Sequence, residues 1–474
     1  MAPFLVKLFN LCFEKGTLPD ILKIARVIPL HKGGSKSDLT NYRPISLLPQ
    51  FGKLLENVIK SRLIDFLDEH KIITDNQFGF RKNHSTELAI ANIHNTLLQN
   101  LDDDKITCSI FLDLAKAFDS VNHNILIRKL EKYGIRGMPL DLLKSYLHNR
   151  QHFTKFNNTE SNLKVLDIGV PQGSILGPLL FLLFINDLPL VTNFNVKLFA
   201  DDTFLSLTGT DLKTLQKKVN MELKKVSVWF SNNKLTLNVS KSKFMIIKRS
   251  IKKTDRKLVL KFNGKKIEQC SSYKYLGIHL DERLNWKVHV KYLCEKVSKM
   301  CGLFVKLRYC CNIELLKVLY YALVESHLQY CNMIWGSARE NILEPLVDLQ
   351  DKIVRIIKFA PYEIEHVESI YNDLKLLDLS QLSKLSKTKF MYKYKNHKLP
   401  SCFENFFSSN GSQRYPRRRR NNLDDFKRVS GKTQYGDKMM QYEGVQLWNN
   451  TPIYIRNAET VRDFTKKYKS LFFD

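Results

Sequence analysis

Phe199-Ala200-Asp201-Asp202 is the stretch on which the fold of this chain depends. Residues 196–200 and 203–207 are short apolar runs on either side of the aspartate pair, and their composition predicts two paired β-strands. Asp201 and Asp202 then lie at the tight turn of a hairpin. Asp-Asp is also a common turn dipeptide, but two adjacent ionised carboxylates repel each other and are stabilised by a divalent cation. The pair is therefore a candidate metal site.

A third carboxylate, Asp113, closes the apolar run 107–112, which has the β-branched and apolar content of a buried strand. An acidic residue in this position costs free energy unless it is used. Three carboxylates at the ends of adjacent strands would hold two Mg²⁺ ions about 3.5–4 Å apart, the spacing that serves phosphoryl transfer. Between them in the chain lies the turn Gly169-Val170-Pro171-Gln172-Gly173-Ser174.

These motifs, in this order, resemble the central motifs of the reverse transcriptases of non-LTR retrotransposons, the LINE-type, jockey-like class. They are Phe111-Leu112-Asp113-Leu114-Ala115-Lys116-Ala117-Phe118-Asp119, Pro171-Gln172-Gly173 and Phe199-Ala200-Asp201-Asp202. The resemblance covers residues 17–360, and residues 444–452 resemble the tail of such element proteins. It implies an α+β right-hand polymerase with fingers, a palm on an antiparallel sheet, a helical thumb and a small C-terminal region.

The resemblance also predicts how the chain is divided. The fingers would span residues 1–105, the palm 106–283, the helical thumb 284–362 and a C-terminal helical and basic region 363–474. Within the last region, the polar stretch 408–441 is typical of a linker or a nucleic-acid-binding loop. Full-length elements of this type carry an endonuclease ahead of the fingers, so we expect the chain to be a fragment of a larger open reading frame.

The resemblance assigns catalysis to the three carboxylates. Asp113 and Asp201 would be the main ligands of two Mg²⁺ ions, for which Mn²⁺ is a substitute, and Asp202 a peripheral third ligand. The reaction implied is RNA-directed DNA synthesis from dNTPs on an RNA template and a DNA primer, with a target-DNA strand as the primer.

Phe118 lies five residues after Asp113, where the resembling polymerases place a bulky side chain against the 2′ position of the sugar. A ring in that place selects dNTPs over rNTPs by clashing with a ribose hydroxyl. The alternative is a phenylalanine of the hydrophobic core. Asp119 is interpreted as the N-cap of a helix that begins at Ser120, rather than as a metal ligand.

Other predicted contacts with the nucleotide come from the fingers and the palm. Gln172 would line the pocket, and Gly173 would let the backbone pass close to the substrate. Arg43 and Lys32 of the fingers hairpin would bind triphosphate oxygens, with surface solvation as the alternative for both. Lys241 matches a lysine on the pyrophosphate side and is a candidate general acid, although a surface lysine is the commoner case.

Contacts with the template and primer are predicted in three further segments. Arg81 and Lys82 lie in a basic loop before a helix that starts at Glu87. Tyr275-Leu276-Gly277 resembles the hairpin that holds the primer end. The basic run is Arg417, Arg418, Arg419 and Arg420; it is interpreted as a nucleic-acid contact surface or, alternatively, as a nuclear import signal.

Composition agrees with a nucleic-acid-binding protein. The chain has a formal net charge of +28, from 75 Lys and Arg against 47 Asp and Glu, which favours a polyanionic partner. The nine cysteines show no repeating Cys-x-x-Cys spacing and are typical of reduced intracellular residues. The most apolar run, 176–190, is too short and too interrupted to span a bilayer, so no membrane partner is expected. We expect the nucleus as the compartment, with the cytoplasm as the alternative, and no oligomeric state is predicted.

Two other functions compete with an active polymerase. The first is a catalytically silent, decayed or domesticated nucleic-acid-binding remnant of such an element, which would keep the basic surface and lose turnover. The second is a related intron-encoded maturase, and the tail-like segment 444–452 argues against it. The unbroken presence of Asp113, Asp201 and Asp202 favours the polymerase.

Overall fold

The computed structural model describes residues 2–249, 258–360, 366–407, 426–428 and 431–473. The helices of eight residues or more are α1 (Ala2–Lys15), α2 (Gln50–Glu69), α3 (Thr86–Asp102), α4 (His123–Lys132), α5 (Met138–Leu147), α6 (Leu176–Ile185), α7 (Leu212–Asn232), α8 (Lys287–Leu307), α9 (Ile313–Tyr320), α12 (Glu340–Lys358), α13 (Val367–Leu374), α14 (Leu379–Lys395) and α17 (Val461–Ser470). The shorter helices are α10 (Ser326–Gln329), α11 (Asn332–Trp335), α15 (Glu443–Asn449) and α16 (Ile453–Arg456).

The strands form three sheets, and the predicted α+β class is confirmed. The strands are β1 (Ile24–His31), β2 (Tyr42–Leu47), β3 (Ile106–Leu112), β4 (Arg150–Phe156), β5 (Thr159–Glu160), β6 (Lys164–Leu166), β7 (Asn195–Phe199), β8 (Asp202–Gly209), β9 (Lys243–Ile247), β10 (Leu260–Phe262), β11 (Lys265–Gln269), β12 (Ser272–Tyr275) and β13 (Ile278–Asp281).

The largest sheet has six strands in the order β10-β11-β9-β3-β8-β7, and all its pairings except β11 with β9 are antiparallel. Its central strand, β3, alternates between two cores. Cys108, Ile110 and Leu112 face a core shared with α2 and α4–α7, whereas Phe111 faces a core shared with α3 and the helices after β13. Burial on both faces explains why β3 carries no charged residue and is mostly apolar, with Thr107 and Ser109 as its buried polar members.

The predicted fingers hairpin is formed by β1 and β2, with Leu30 opposite Arg43. Strand β4 pairs in parallel with β1, and β6 pairs with β4. This small sheet lies next to the turn that contains Gln172, because the N–H of Ser46 on β2 donates to the carbonyl oxygen of Gln172 at 2.7 Å. The pairing brings the fingers strands to the nucleotide motif of the palm.

Two local interpretations need correction. Helix α4 begins at His123, and its N-cap is Asn122, whose side chain accepts from the N–H of Ile125; Asp119 lies earlier, in a 3-10 turn. Part of the predicted linker 408–441 is also docked, since Asp102 at the end of α3 accepts from the N–H of Lys432 (3.0 Å) and the hydroxyl of Thr433 (2.7 Å). In both places polar residues find specific partners that the local pattern does not reveal.

The helices from α8 onward share one continuous core with α3 and the hairpin β12–β13. This core includes residues of the predicted thumb, such as Leu346, and residues of the predicted C-terminal region, such as Trp448. The boundaries of the four predicted regions therefore stay predictions. No helix in the described ranges is long and apolar enough to cross a membrane.

Candidate active site

The predicted hairpin of the aspartate pair is present as β7 and β8, with Phe199 opposite Asp202. Ala200 and Asp201 form the two-residue turn, and Ala200 has a positive φ of 54°. A left-handed conformation costs a residue with a Cβ about 1–2 kcal/mol, so the turn must be stabilised by its surroundings. The hairpin presents Asp201 and Asp202 at one end of the six-stranded sheet.

Asp113 is brought to the same end because β3 pairs with β8. The register places Leu112 opposite Thr203, so Asp113 and Asp202 are the next positions on two adjacent strands. The backbone of Asp113 is held on both sides: its N–H donates to Ser242 Oγ (3.1 Å), and its carbonyl accepts from the N–H of Asn238 (2.9 Å). The sheet thus brings the three carboxylates together.

The three carboxylates repel one another in a partly buried place. Burial, followed by the charges of Asp201 and Asp113, raises the pKa of Asp202 to about 6. The pKa of Asp113 is also raised, chiefly by burial and with a contribution from Asp201, against the opposing effects of Lys241 and Lys32. The cluster therefore carries negative charge that the protein itself leaves incompletely balanced.

The donor set at this cluster suits a hard cation that also binds substrate. Among the described residues there is no group of three or more His, Cys, Asp or Glu side chains arranged to hold a metal ion by themselves. Mg²⁺, however, is usually bound by one or two carboxylates together with water and substrate phosphates. Asp113 and Asp201 supply such a pair of carboxylates, and the raised pKa of Asp202 reflects the charge that a cation would neutralise.

A buried glutamine that the sequence reasoning missed supports the turn. Gln77 is 1% exposed, and its Oε1 accepts from the N–H groups of Ala200 (3.2 Å) and Gly79 (2.8 Å). Nearby, Leu198 exchanges backbone hydrogen bonds with Asn76 and Phe78 at 2.9 and 2.8 Å. A Cβ on Gly79 would lie 2.5 Å from the nitrogen of Ala200, so only glycine allows this approach. Residues 76–79 thus stabilise the turn through hydrogen bonds and close backbone packing.

We expect Gln77→Met to lower kcat by about 10- to 100-fold while the KM for dNTP stays unchanged, because the turn loses its side-chain acceptor and the carboxylates move. Steady-state primer extension measures both constants. Gln77→Glu keeps an acceptor oxygen in either protonation state. It loses no hydrogen bond from the amide nitrogen, because Gln77 Nε2 has no hydrogen-bond partner among the described residues. Glu should therefore rescue most of the turnover; an equal loss in both variants, or a change confined to KM, would contradict a positioning role.

The turn that carries Gln172 and Gly173 is packed against β2. Gly173 has a φ of 124°, and a Cβ there would lie 2.5 Å from the carbonyl oxygen of Ser46. Gln172 Nε2 donates to Asp119 Oδ1 at 2.9 Å. Burial raises the pKa of Asp119, and Gln172 opposes that shift. Asp119 therefore orients the glutamine that was predicted to line the nucleotide pocket.

Phe118 lies in the 3-10 turn next to Asp119 and is half-buried. Its ring centroid is 4.9 Å from that of Phe181, which is fully buried on α6. One side of the Phe118 ring is therefore packed and part of it stays accessible. Both interpretations of Phe118, the sugar gate and the core residue, remain predictions at this point.

Two of the three cations predicted for the nucleotide pocket act on a carboxylate of the site. Lys241 and Lys32 are exposed, and both act electrostatically on Asp113. Arg43 is exposed on β2, opposite Leu30 of β1. The positive charges of Lys241 and Lys32 suit an anionic substrate at this end of the sheet, and the contacts of all three cations with a nucleotide stay predictions.

The predicted primer hairpin consists of β12 and β13, with Leu276 and Gly277 in its turn at φ values of 44° and 86°. Two positive φ values are the mark of a type I′ hairpin turn. The hydroxyl of Tyr330 donates to the carbonyl of Leu276 at 2.6 Å and so fastens the turn to the helical region. Tyr275 is 3% exposed, so that its ring fills the core and only its backbone is available to a primer.

Tyr273, two residues earlier, is a second residue that the sequence reasoning missed. Its ring stacks on Phe111 with centroids 4.4 Å apart. Burial, followed by the charges of Asp113 and Asp202, raises the pKa of its hydroxyl to about 12. This half-buried ring is therefore close to the carboxylates, and the charge of Asp202, after burial, also raises the pKa of the Tyr275 hydroxyl.

The predicted nucleic-acid contacts of the basic loop divide into two kinds. Arg81 Nη1 donates to the carbonyl oxygens of Thr74 (3.0 Å) and Gln77 (3.4 Å), so its guanidinium stabilises the loop behind the catalytic turn. Lys82 is exposed. The run Arg417, Arg418, Arg419 and Arg420 lies outside the described residues. The nucleic-acid role of all six stays a prediction.

The cysteines that the sequence analysis took as reduced are all free. Cys12, Cys108, Cys301 and Cys331 are buried, and Cys310 is exposed. No described cluster of cysteine and histidine is arranged to bind a metal ion.

The family described as "Reverse transcriptase (RNA-dependent DNA polymerase)" matches residues 31–280. The chain is 30% identical over 393 residues to the probable RNA-directed DNA polymerase from transposon BS of Drosophila melanogaster, which covers 79% of this chain and 42% of the relative. It is 29% identical over 410 residues to the RNA-directed DNA polymerase from mobile element jockey of the same species, which covers 83% of this chain and 44% of the relative.

The chain spans less than half of the length of these two relatives. Among solved structures, it is similar to apo telomerase from Candida tropicalis with a TM-score of 0.38 and 10% identity, over 87% of this chain and 72% of that chain.

Proposed function

Because the chain belongs to the family of reverse transcriptases (RNA-dependent DNA polymerases), we propose that it copies RNA into DNA by nucleotidyl transfer at Asp113, Asp201 and Asp202. The observation that carries the proposal is the convergence of these three carboxylates at one end of β3 and β8. Their partly buried, mutually repelling charges suit cation-assisted phosphoryl transfer. The family match agrees with the predicted right-hand layout of fingers, palm and thumb.

Reverse transcriptases generally use divalent metal ions, and we propose Mg²⁺ for this chain, with Mn²⁺ as a substitute. Asp113 and Asp201 would be the main ligands, and Asp202 a peripheral one. The bound ions would lower the pKa of the primer 3′-hydroxyl and offset charge on the transferring phosphoryl group. The protein's own contribution is to hold the carboxylates in place: Ser242 and Asn238 fix Asp113, and Gln77 fixes the turn.

The remaining residues would bind and select the nucleotide. Arg43 and Lys32 would bind triphosphate oxygens from the fingers side, and Lys241 would protonate the leaving pyrophosphate. Gln172, oriented by Asp119, lines the base and sugar pocket. Phe118 limits the space at the sugar 2′ position, and the half-buried ring supports that role because an accessible edge remains.

The substrates we propose are dNTPs, an RNA template and a DNA primer, with nicked target DNA as the source of the primer. Two similar relatives are RNA-directed DNA polymerases of a transposon and of a mobile element. The net charge of +28 supports a polyanionic template and primer. Synthesis from target DNA would take place in the nucleus.

Primer extension on an RNA template tests the proposal. We expect the chain to extend an annealed DNA primer in the presence of Mg²⁺ or Mn²⁺ and all four dNTPs, and to produce nothing without a divalent cation. Tight binding of the same RNA–DNA hybrid without extension under both metals would instead favour the catalytically silent nucleic-acid-binding remnant.

A further inference from the structure

A cavity of about 410 Å³ lies at the end of the six-stranded sheet that is remote from the three aspartates. Four separate segments meet there. They are Arg249 just beyond β9, the turn after β13, the start of α12 and the docked segment 434–438. The described lining residues are Arg249, Arg283, Leu284, Asn285, Arg339, Ile342, Gln434, Tyr435 and Lys438. We call this cavity the basic pocket.

The lining of the basic pocket carries four cations, and none of its described residues is acidic. Arg249 forms an ion pair with Asp104, with Nη1 3.5 Å from Oδ1. The carboxylate of Asp104 is largely exposed. Arg339 Nη2 donates to Gln434 Oε1 at 2.8 Å. Burial, and then the charge of Arg339, lowers the pKa of Lys438. Positive charge is thus concentrated in one concave place.

The carboxylates near the basic pocket lie outside its lining, and most are bound to other groups. Asp281 accepts from the N–H groups of Arg283, Asn285 and Trp286, and Glu443 acts on Lys438 while paired with Lys387. Asp102 accepts from Lys432 and Thr433, and Asp103 pairs with Lys432 at 2.8 Å. Glu340 and Asp437 line the neighbouring cavity and not the basic pocket. The positive charge of the four lining cations is therefore only partly offset within the protein, and an external anion would offset more of it.

The chemistry of the lining selects phosphate among anions. Guanidinium groups bind phosphate oxygens through two parallel hydrogen bonds, and two of these groups, Arg283 and Arg339, are exposed to solvent. Arg339 is also the N-cap of α12, a helix of 19 residues with no side-chain cap. The N-terminus of this helix adds a partial positive charge beside Arg339, which Glu340 in the first turn partly offsets.

The basic pocket is separate from the polymerase site. Arg249 follows β9, in which Ile247 pairs with Thr107, whereas Asp113 follows the other end of β3. At about 3.3 Å per residue, the strand from Thr107 to Asp113 spans about 20 Å. A hybrid of about five base pairs that reaches the aspartates therefore ends before the pocket, whereas a hybrid of about 20 base pairs is long enough to reach both.

We propose that the basic pocket binds a backbone phosphate of the nucleic acid at a second point of contact, outside the polymerase site. The proposal rests on the proposed function for the identity of the polymer, and a phosphate-containing small molecule is the competing source of the same chemistry. The pocket would hold the distal part of the bound hybrid while the aspartates act on its primer end.

The test compares Arg283→Ala/Arg339→Ala with the wild type in equilibrium binding of two RNA–DNA hybrids, one of about 20 base pairs and one of about five base pairs closed by a loop. For the long hybrid, we expect the affinity to fall roughly tenfold and the slope of log K against log salt to become shallower by about 1–2. The short hybrid should bind both proteins equally well. Lys213→Ala/Lys217→Ala removes the same charge from the exposed face of α7 and serves as the matched control.

Two outcomes would overturn the proposal. One is an equal loss of affinity in the control variant, or for the short hybrid, because the effect would then come from overall charge. The other is an arginine variant that binds both hybrids as tightly as the wild type but no longer responds to free phosphate. In that case inorganic phosphate or tripolyphosphate would raise the melting temperature of the wild type and not that of the arginine variant. That result would assign the pocket to a free phosphate compound. Binding is measured without turnover, so a wild type that fails to extend primers would defeat the proposed function and leave this comparison valid.

Discussion

Asp201→Asn is expected to lower primer extension by at least about 10³-fold, which corresponds to about 4 kcal/mol of transition-state stabilisation. The amide keeps the volume of the carboxylate and its place in the turn after Ala200, but it loses the negative charge that binds a divalent cation. Affinity for the RNA–DNA hybrid should stay within about twofold of the wild type, since the hybrid is bound by basic groups elsewhere. Single-turnover extension and equilibrium binding on the same preparation measure the two quantities.

Asp211→Asn is the matched control for this change. Asp211 is the N-cap of α7 and accepts from the N–H of Thr214 at 2.8 Å. Asparagine is as good an N-cap as aspartate, so this variant makes the same chemical substitution outside the site and should extend primers normally. Extension by Asp201→Asn at a rate comparable to that of Asp211→Asn would remove Asp201 from the metal site.

Phe118→Val is expected to reduce the preference for dNTPs over rNTPs by about 10- to 100-fold. Valine opens the space at the sugar 2′ position and so removes the clash that excludes a ribose hydroxyl. The ring of Phe118 is only half-buried, and therefore we expect a loss of folding stability of no more than about 1 kcal/mol. Single-nucleotide incorporation of dCTP and CTP, together with a melting curve, measures both effects.

Phe181→Leu is the control that distinguishes a sugar-gate role of Phe118 from a role in the hydrophobic core. Phe181 is fully buried and packs against Phe118 with centroids 4.9 Å apart, so this change should lower the melting temperature and leave the sugar preference intact. If Phe118→Val behaved in the same way, with an unchanged sugar preference and a cost of about 1–3 kcal/mol, Phe118 would be a core residue.

Much of the sheet was predictable from local patterns. Strand β3 is a mostly apolar, uncharged run closed by Asp113, and the aspartate pair follows a second such run, so both strand ends are visible in the sequence. The fingers hairpin was also predicted, and the helix predicted to start at Glu87 is α3, which begins at Thr86. These elements obey the short-range rules of periodicity and turn composition.

The corrections all concern polar groups whose partners are distant in the chain. Asp119 has the composition of an N-cap, yet it accepts from Gln172, which is 53 residues away. Residues 431–441 have the composition of a linker, yet Asp102 holds Lys432 across more than 300 residues. Tyr275 stays a predicted primer contact, and Tyr273 is a residue near the carboxylates that the local pattern did not indicate. Local composition cannot distinguish these outcomes, because the partner decides them.

The sequence by itself determined the strands, the turn and the identities of Asp113, Asp201 and Asp202, because each depends on a pattern within a few residues. Only the tertiary structure decided how the turn is supported and which cations meet in the basic pocket. The acceptor for Ala200 comes from Gln77, and the basic pocket combines Arg249, Arg283, Arg339 and Lys438. Hydrogen bonds and electrostatic fields act through space, so groups far apart in the chain form one site only after the sheet, the hairpin β12–β13 and the helices have packed together.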